Sequence, residues 1–216
     1  MIIKKLSVLI ATVATLACSS SYAALAKHAT VYLHNDKSYI GGATGAPDVL
    51  WTHGVDGLFT SMQGYAYNHE VNIAYNDGNS WNFEFAAPTY DPVTNTNDGR
   101  PLTIGFYDHA TRLPFNSPTR PGMTISGNGR GDNISIGWFR VLDINYGADG
   151  SVDRFAADFR QFDETNVEAG SSVYGSLRFN SNIAITPVPE ASTYAMLLAG
   201  LGCLAGLARR SKRRTS

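Results

Sequence analysis

Apolar and polar residues alternate along most of the central part of the chain, which is the pattern of half-buried β-strands. In the clearest run Trp81, Phe83 and Phe85 fall on one side, and Asn82 and Glu84 fall on the other. Similar runs predict further strands at Thr30–Leu33, Gly64–Tyr75, Leu102–Tyr107, Met123–Ser126, Ile134–Tyr146, Phe155–Arg160 and Val173–Phe179. The period of two therefore predicts a domain that is built from short strands.

Turn-forming residues separate these runs. Asn, Asp and Gly tolerate the backbone conformations of tight turns, and they cluster at Asn76–Asn79, Asn97–Gly99, Asn128–Gly129 and Ala148–Gly150. Short strands at this spacing are typical of an all-β fold, and we expect an antiparallel β-sandwich or a flattened barrel. Residues 24–185 number about 160, which suits one exported β-domain with a substantial core.

Two of the runs carry more detailed expectations. In the longest run, one parity holds Ile134, Ile136, Trp138, Leu142 and Ile144, and Arg140 interrupts it. In the last run, Arg178 falls on the polar side together with Ser176. The alternation therefore indicates which side chains share a face of each strand.

The first 23 residues have the three parts of a secretory signal peptide. Two lysines precede an apolar stretch from Leu6 to Ala17, and small residues follow. We expect cleavage between Ala23 and Ala24, because small residues occupy the required positions before that bond. The segment that ends at Cys18 also resembles a lipoprotein cleavage box, so lipidation of Cys18 is the alternative.

The other end of the chain also has three parts. They are a Pro-Glu motif (Val188, Pro189 and Glu190), an uncharged run (Tyr194–Ala208) and a basic cluster (Arg209, Arg210, Lys212, Arg213 and Arg214). We expect a linker at 186–193, a transmembrane helix at 194–208 and a basic cytoplasmic tail at 209–216, by the positive-inside rule. Fifteen helical residues span about 22 Å. A bilayer core is about 30 Å thick, so such a marginal anchor suits a segment that is meant to be removed.

The order of Pro-Glu motif, apolar run and basic end resembles the PEP-CTERM sorting signal of Gram-negative bacteria. The usual pattern is Val-Pro-Glu-Pro, which Val188–Glu190 match, whereas Ala191 stands where the second proline normally lies. The resemblance implies processing by signal peptidase and by an exosortase-type enzyme. It also implies a precursor anchored in the inner membrane and a final location at the cell surface or in the extracellular matrix. An ordinary C-terminal tail anchor is the alternative.

Removal of the two ends changes the composition of the chain. Seven of the seventeen Lys and Arg and one of the eighteen Asp and Glu lie in the ends, which leaves a net charge of −7 between them. Cys18 and Cys203 also lie in the ends, so no disulfide can stabilise the domain. An acidic exported domain is a poor binder of nucleic acid. It could bind divalent cations or neutral sugars, or its charge could serve solubility alone.

The region from Ser80 to Ser181 is similar to a recurrent exported β-domain of bacteria that has no assigned function. The similarity rests on the segments SWNFEFAAP, ATRLPFNSPTRPGMTISGNGRGDN, VLDINYGADGSVDRFAADFRQF and VYGSLRFNS. That family commonly has two cysteines where this chain has Asp132 and Asp163. The resemblance therefore implies that the loops of these two residues are neighbours. Two close carboxylates could recruit a cation such as calcium, and two solvated carboxylates are the alternative.

No sequence motif selects a catalytic residue. The five histidines lack the paired spacing of metal ligands, and the G-x-S-x-G nucleophile motif is absent. Glu70 and Glu84 could form the carboxylate pair of a glycoside hydrolase. A sugar-stacking platform could include Trp51, Tyr65, Tyr67 and Tyr75, although a core role is the alternative for each of them.

These signals predict an exported, non-enzymatic surface or extracellular-matrix protein that is sorted by an exosortase-type system and associated with exopolysaccharide or biofilm. A carbohydrate-binding module is the alternative, followed by a secreted glycan hydrolase. We expect no cofactor other than calcium and no nucleic-acid partner.

Overall fold

Eleven β-strands make up the part of the chain that the computed structural model describes, which comprises residues 24–36, 38, 40, 48–62, 70–97, 99–163 and 171–185. In chain order they are β1 (Ala24–Leu25), β2 (Ala29–Asp36), β3 (Val49–Thr52), β4 (Leu58–Met62), β5 (Glu70–Asn76), β6 (Ser80–Ala86), β7 (Gly105–Thr111), β8 (Gly122–Gly127), β9 (Ser135–Tyr146), β10 (Val152–Asp163) and β11 (Ser172–Phe179). These residues contain no helix, which confirms the all-β class. In particular, none of them belongs to a helix long and apolar enough to span a membrane. The signal helix and the transmembrane helix expected from the sequence lie outside the described residues.

The strands form one nearly closed, barrel-like sheet in the order β1-β4-β5-β6-β8-β7-β9-β10-β11-β2-β3. The expectation of a purely antiparallel sheet was wrong at one place, because β7 and β8 run parallel and share the pair Thr111 and Gly122. Residues 112–121 leave β7 and return to the same point, where the Thr111 N–H donates to the Pro121 carbonyl. The chain therefore enters β8 in the direction in which it left β7.

A cluster of phenylalanine rings fills the space between the two halves of the sheet. Phe85 of β6 lies 5.2 Å from Phe139 of β9, and 5.4 and 5.7 Å from Phe155 and Phe159 of β10, measured between ring centroids. The side chain of Phe83 is also fully buried. The alternation from Trp81 to Phe85 is therefore confirmed, and its apolar side packs onto the inward residues of β9 and β10.

Aromatic contacts connect the two ends of the sheet order. The Trp51 ring of β3 stacks on Tyr75 of β5 at 4.6 Å and lies 5.2 Å from Trp81 of β6. The Phe59 N–H of β4 donates to His53 Nδ1 at 2.9 Å. The Phe59 carbonyl accepts from the Ala26 N–H at the same distance. These contacts bring β3 against β4 and β5, so little of the barrel remains open.

The first half of β9 buries the parity opposite to the one that the apolar pattern marked. Phe139 and Val141 are buried, whereas Ile136 is 37% exposed and Ile134, just before the strand, is 68% exposed. The inward position before Phe139 is Gly137, where a side chain would overlap the carbonyl oxygen of Arg160. Small residues on the inner side and large apolar residues on the outer side therefore reversed the pattern.

A β-bulge restores the expected parity in the second half of β9. Ala156 and Ala157 of β10 pair with Asp143 and Val141, which leaves Leu142 as an extra residue on β9. An extra residue shifts the following side chains to the other face. Ile144 accordingly packs against the core, as its parity in the sequence indicated.

Most of the other predicted strands are present with shifted ends. The strand predicted at Leu102–Tyr107 begins at Gly105, and the Leu102 carbonyl accepts from the Tyr146 hydroxyl instead of joining the sheet. The first part of the predicted strand Gly64–Tyr75 lies outside the described residues. The alternation did not predict β1, β3 and β4, which have two to five residues each.

Candidate functional site

The outward side chains of β7, β9 and β10 form a surface of rings and guanidinium groups, which we call the outer aromatic face. It consists of Phe106, Ile136, Trp138, Arg140, Arg160 and Phe162, all of them exposed or half-buried. The strand register places these residues in three rows, which are Phe106 beside Arg140, Trp138 beside Arg160, and Ile136 beside Phe162. The three strands therefore present a ladder of apolar and cationic groups to solvent.

The rings and the guanidinium groups of this face contact one another. The Phe106 and Trp138 ring centroids are 5.7 Å apart. The Arg140 guanidinium carbon lies 5.4 Å from the Phe106 centroid, and that of Arg160 lies 4.7 Å from the Phe162 centroid. Such cation–π contacts contribute about 0.5–1 kcal/mol each at exposed sites. They hold the rings in place while Phe106 stays 53% exposed.

A cavity of 170 Å³ opens on the same face. Its walls are Asp108, His109, Arg120, Ile136, Gly137, Trp138 and Phe162. A second cavity of 400 Å³ shares Arg120 and Ile136 with the first and extends to Arg112 and Phe115. The Arg112 guanidinium carbon lies 5.0 Å from the Phe115 centroid. Rings and guanidinium groups therefore recur around both cavities.

The cations of this surface are only partly neutralised. Within the described part of the chain, the side chains of Arg120 and Arg140 form no ion pair with a carboxylate. Asp108 lies 3.2 Å from the His109 ring, and Asp158 accepts from Arg178. Arg160 of the face pairs with Asp36 at 3.7 Å. These acids thus have partners, whereas the guanidinium groups of Arg120 and Arg140 have no carboxylate partner in the described part of the chain.

A polar cluster continues the row of Trp138 and Arg160 across β11 and β2. Tyr174 pairs with Arg160, and His34 pairs with Tyr174, with 4.6 Å between the His34 and Tyr174 ring centroids. Asp48 Oδ1 lies 2.5 Å from His34 Nδ1, and the Tyr32 hydroxyl donates to Asp48 Oδ2. Burial, followed by the charge of Asp48, raises the pKa of Tyr174. Sequence reasoning missed this cluster because Asp48 joins it from a loop.

The sugar platform suggested by the sequence belongs to the interior where the structure describes it. Tyr75 is 1% exposed, and its ring stacks on Trp51, which packs against the core. Burial raises the pKa of Tyr75 to about 12. The other two members, Tyr65 and Tyr67, lie outside the described residues. Exposed and half-buried rings form the outer aromatic face instead, where the reversed parity of β9 concealed Trp138.

Asp132 and Asp163 are both buried and both hydrogen-bonded. Gln161 of β10 donates to Asp132 Oδ2 at 3.0 Å, and Gln161 lies two residues before Asp163 on the same side of the strand. Asp163 accepts from the hydroxyls of Ser38 and Ser171 at 2.7 and 2.9 Å. The loop of Asp132 thus meets the end of β10 at which Asp163 is the last residue. No group of three or more metal-ligating residues occurs in the described part of the chain.

The suggested carboxylate pair lies on the outer side of β5 and β6. Glu84 pairs across the strands with Asn72, two residues from Glu70, and accepts from the Asn72 side chain at 3.0 Å. Burial first, and then the negative charge of Glu70, raise the pKa of Glu84. The structure therefore places the two acids on the same side of neighbouring strands, close enough for the charge of Glu70 to raise the pKa of Glu84.

Arg178 holds the segment that leads out of the domain. It lies on the same side of β11 as Ser176, as the alternation predicted, yet it is buried, because residues 181–185 cover it. Its guanidinium group donates to the carbonyl of Ile183 at 3.1 Å, to that of Ala157 at 2.9 Å and to Asp158 Oδ1 at 2.8 Å. The last described residue is Ile185, so the chain is fixed to the sheet close to its C-terminal extension.

The segment that follows the described domain carries a sorting motif. Residues 187–214 match the PEP-CTERM protein-sorting motif. This chain carries a PEP-CTERM sorting signal. The match contains Val188, Pro189 and Glu190 as well as Arg209, Arg210, Lys212, Arg213 and Arg214, and it implies sorting by an exosortase-type system. No curated protein and no solved structure matches the chain.

The sorting residues themselves lie outside the described part of the chain. So does Ala23, on one side of the expected signal cleavage site. Ala24, on the other side, is the first residue of β1, where it pairs with Ser61 of β4. Cleavage at the expected bond would therefore leave β1 at the start of the processed chain.

Proposed function

We propose that the protein is an exported, non-enzymatic surface or extracellular-matrix protein that becomes associated with exopolysaccharide. The PEP-CTERM signal at residues 187–214 carries this proposal, because it implies sorting by an exosortase-type system. The signal peptide directs export, the C-terminal helix holds the precursor in the inner membrane, and an exosortase-type enzyme then releases the β-domain to the cell surface. Within the domain, Arg178 fixes the sheet to residues 183 and 184, which precede the signal.

Processing in the native bacterium tests the sorting part of the proposal. Intact-mass analysis should show a surface form that begins at Ala24 and lacks the basic cluster. Replacement of Pro189 and Glu190 with alanine should leave precursor in the inner membrane. A surface form that retains Arg213 and Arg214 would show that the tail is a permanent anchor and would overturn exosortase processing.

Extraction of the matrix tests the association with exopolysaccharide. The processed protein should co-purify with exopolysaccharide from wild-type cells. It should appear free in the medium of a strain that makes no exopolysaccharide. Equal retention on both strains would assign the protein to the cell surface alone. Shortening of the polysaccharide on incubation with the purified protein would identify a glycan hydrolase instead.

A carbohydrate-binding module is the second candidate function, and the outer aromatic face favours it. Exposed rings offer apolar surfaces on which the apolar faces of sugars can pack. Half-buried Trp138, with exposed Phe106 and the cavity beside them, supplies such surfaces next to hydrogen-bonding groups.

Binding of calcium by Asp132 and Asp163 is a separate proposal. A comparison of thermal melts with and without calcium tests it.

A further inference from the structure

The outer aromatic face combines two kinds of group that the stability of the domain does not require together. Phe106 and Trp138 point away from a core that is already filled by Phe139 and Val141 of the same sheet. Exposed apolar patches that are rimmed by polar groups commonly mark binding sites. The rings therefore indicate a ligand with apolar surfaces of its own.

The charges of the face restrict that ligand further. The region between the two ends of the chain has a net charge of −7, yet Arg112, Arg120, Arg140 and Arg160 are four of its ten basic residues and line this face or its cavities. The guanidinium groups of Arg120 and Arg140 have no carboxylate partner in the described part of the chain. Guanidinium groups form paired hydrogen bonds with carboxylates. A local excess of cations on an acidic domain therefore favours an anionic ligand.

We propose that the outer aromatic face binds a polysaccharide whose sugars carry carboxylate groups, such as a uronic acid polymer. This inference rests on the proposed function as a protein that associates with polysaccharide, and it names the class of polysaccharide that is bound. The sugar rings pack on Phe106, Trp138 and Phe162, and their carboxylates accept hydrogen bonds from Arg120 and Arg140. The three rows of the face lie on neighbouring strands, so one chain can cover several rings and cations at once.

The cavity beside Trp138 gives the face a deeper subsite. Arg120 and His109 provide donors on its wall, and Trp138 and Phe162 provide its apolar sides. Asp108, also on the wall, can accept a hydrogen bond from a sugar hydroxyl. The subsite therefore offers groups for the carboxylate, the hydroxyls and the apolar face of a single sugar.

Binding of full-length protein in a mild detergent to defined polymers tests the proposal. The polymers are polygalacturonate, the same polymer after reduction of its carboxyl groups, and dextran. Affinity electrophoresis should show binding to polygalacturonate only. The affinity should fall at least about fivefold between low salt and physiological salt, since salt screens exposed charges. Trp138→Ala and Arg140→Gln should each weaken binding about tenfold, as expected when one contact of about 1.4 kcal/mol is lost.

The matched control is Arg100→Gln, which also removes one exposed guanidinium group. Arg100 pairs with Asp91 on the loop between β6 and β7, and it lines neither of the two cavities at the outer aromatic face. This variant should bind polygalacturonate like the parent protein, and circular dichroism should confirm that all variants are folded. Equal loss of binding in Arg100→Gln would assign the effect to net charge and overturn the site.

The remaining outcomes separate this inference from the function on which it rests. Equal binding to native and carboxyl-reduced polymer, still lost in Trp138→Ala, would overturn the acidic ligand and keep the carbohydrate-binding module. Absence of binding to all three polymers would overturn both the ligand class and the module. Retention of the protein in the exopolysaccharide of the native host would still be decided by the extraction experiment.

Discussion

Two parts of the sheet, β5, β6 and β8 on one side and β7, β9 and β10 on the other, have similar inward residues and different outward residues. Both bury aromatic and branched side chains against each other, with Phe83 and Phe85 on one side and Phe139 and Phe159 on the other. Outside, β5, β6 and β8 carry small or polar residues, namely Glu70, Asn72, Ala74, Asn82, Glu84, Thr124 and Ser126, which we call the polar outer face. The outer aromatic face carries rings and arginines instead.

The difference teaches that core formation does not account for the outer aromatic face. If the fold required large outward side chains, the polar outer face would have them too. The two faces also differ in charge, because the polar outer face has two carboxylates, whereas the outer aromatic face has two guanidinium groups. Of these, Arg160 pairs with Asp36, and Arg140 has no carboxylate partner among the described residues. A sheet that needs only one inward side to fold is free to use its outward side for binding.

The largest expected effect separates inward from outward rings. Phe85→Ala should lower the free energy of unfolding by about 3–5 kcal/mol, because it leaves a cavity in the core. Phe106→Ala should cost about 1 kcal/mol or less, since only exposed contacts are lost. Urea unfolding of the full-length protein, followed by tryptophan fluorescence, measures both. Equal costs for the two substitutions would show that the outer rings are structural.

A smaller loss of stability is expected from the substitution of Arg178, which lies on the outer side of β11 but is buried. Arg178→Ala should lower the free energy of unfolding by about 2–3 kcal/mol, because several hydrogen bonds to a charged group are lost at once. It should also expose residues 181–185 to limited proteolysis. Arg178→Lys should rescue little, since an ammonium group lacks the planar set of donors.

Arg154→Ala is the matched control for the substitution of Arg178. Arg154 donates to Asp143 at 2.6 Å from an exposed position. Exposed ion pairs contribute about 1 kcal/mol or less. If Arg178→Ala were as mild as this control and left the segment protected, Arg178 would not be what holds the C-terminal segment.

The smallest effect concerns the polar outer face and depends on pH. The pKa of Glu84 is raised above its ordinary value of 4.5, mainly by burial and then by Glu70. A group whose pKa rises on folding stabilises the fold below its unfolded pKa, and that stability is lost as pH rises through the folded pKa. Glu84→Gln should therefore gain stability relative to the parent protein as pH rises above 4.5. Unfolding curves at pH 4 to 8 measure the gain.

Glu70 provides the control for this pH dependence. Glu70→Gln removes the like charge that contributes to the raised pKa of Glu84. The variant should therefore show a weaker loss of stability above pH 4.5 than the parent protein, while burial keeps part of the effect. An unchanged pH dependence in both variants would show that the two acids do not interact across the polar outer face.

The sequence by itself determined the class of the fold and the presence of the sorting signal. Strict alternation, as in Trp81–Phe85, requires one buried side, and it recurs often enough to specify an all-β domain. The sorting signal is also local, because a Pro-Glu motif, an apolar run and a basic end are consecutive in the chain. Properties of neighbouring residues can be read without knowledge of the partners they meet in space.

Only the tertiary structure decided which rings are exposed and which polar groups are buried. Ile136 and Trp138 look like core residues in the sequence, yet Gly137 and Phe139 take the inward side because the backbone of β10 leaves room there only for glycine. Arg178 is buried because a later segment covers it. The first outcome depends on the pairing of β9 with β10, and the second depends on a segment that packs over β11. The alternation of residues along a single strand contains neither kind of information.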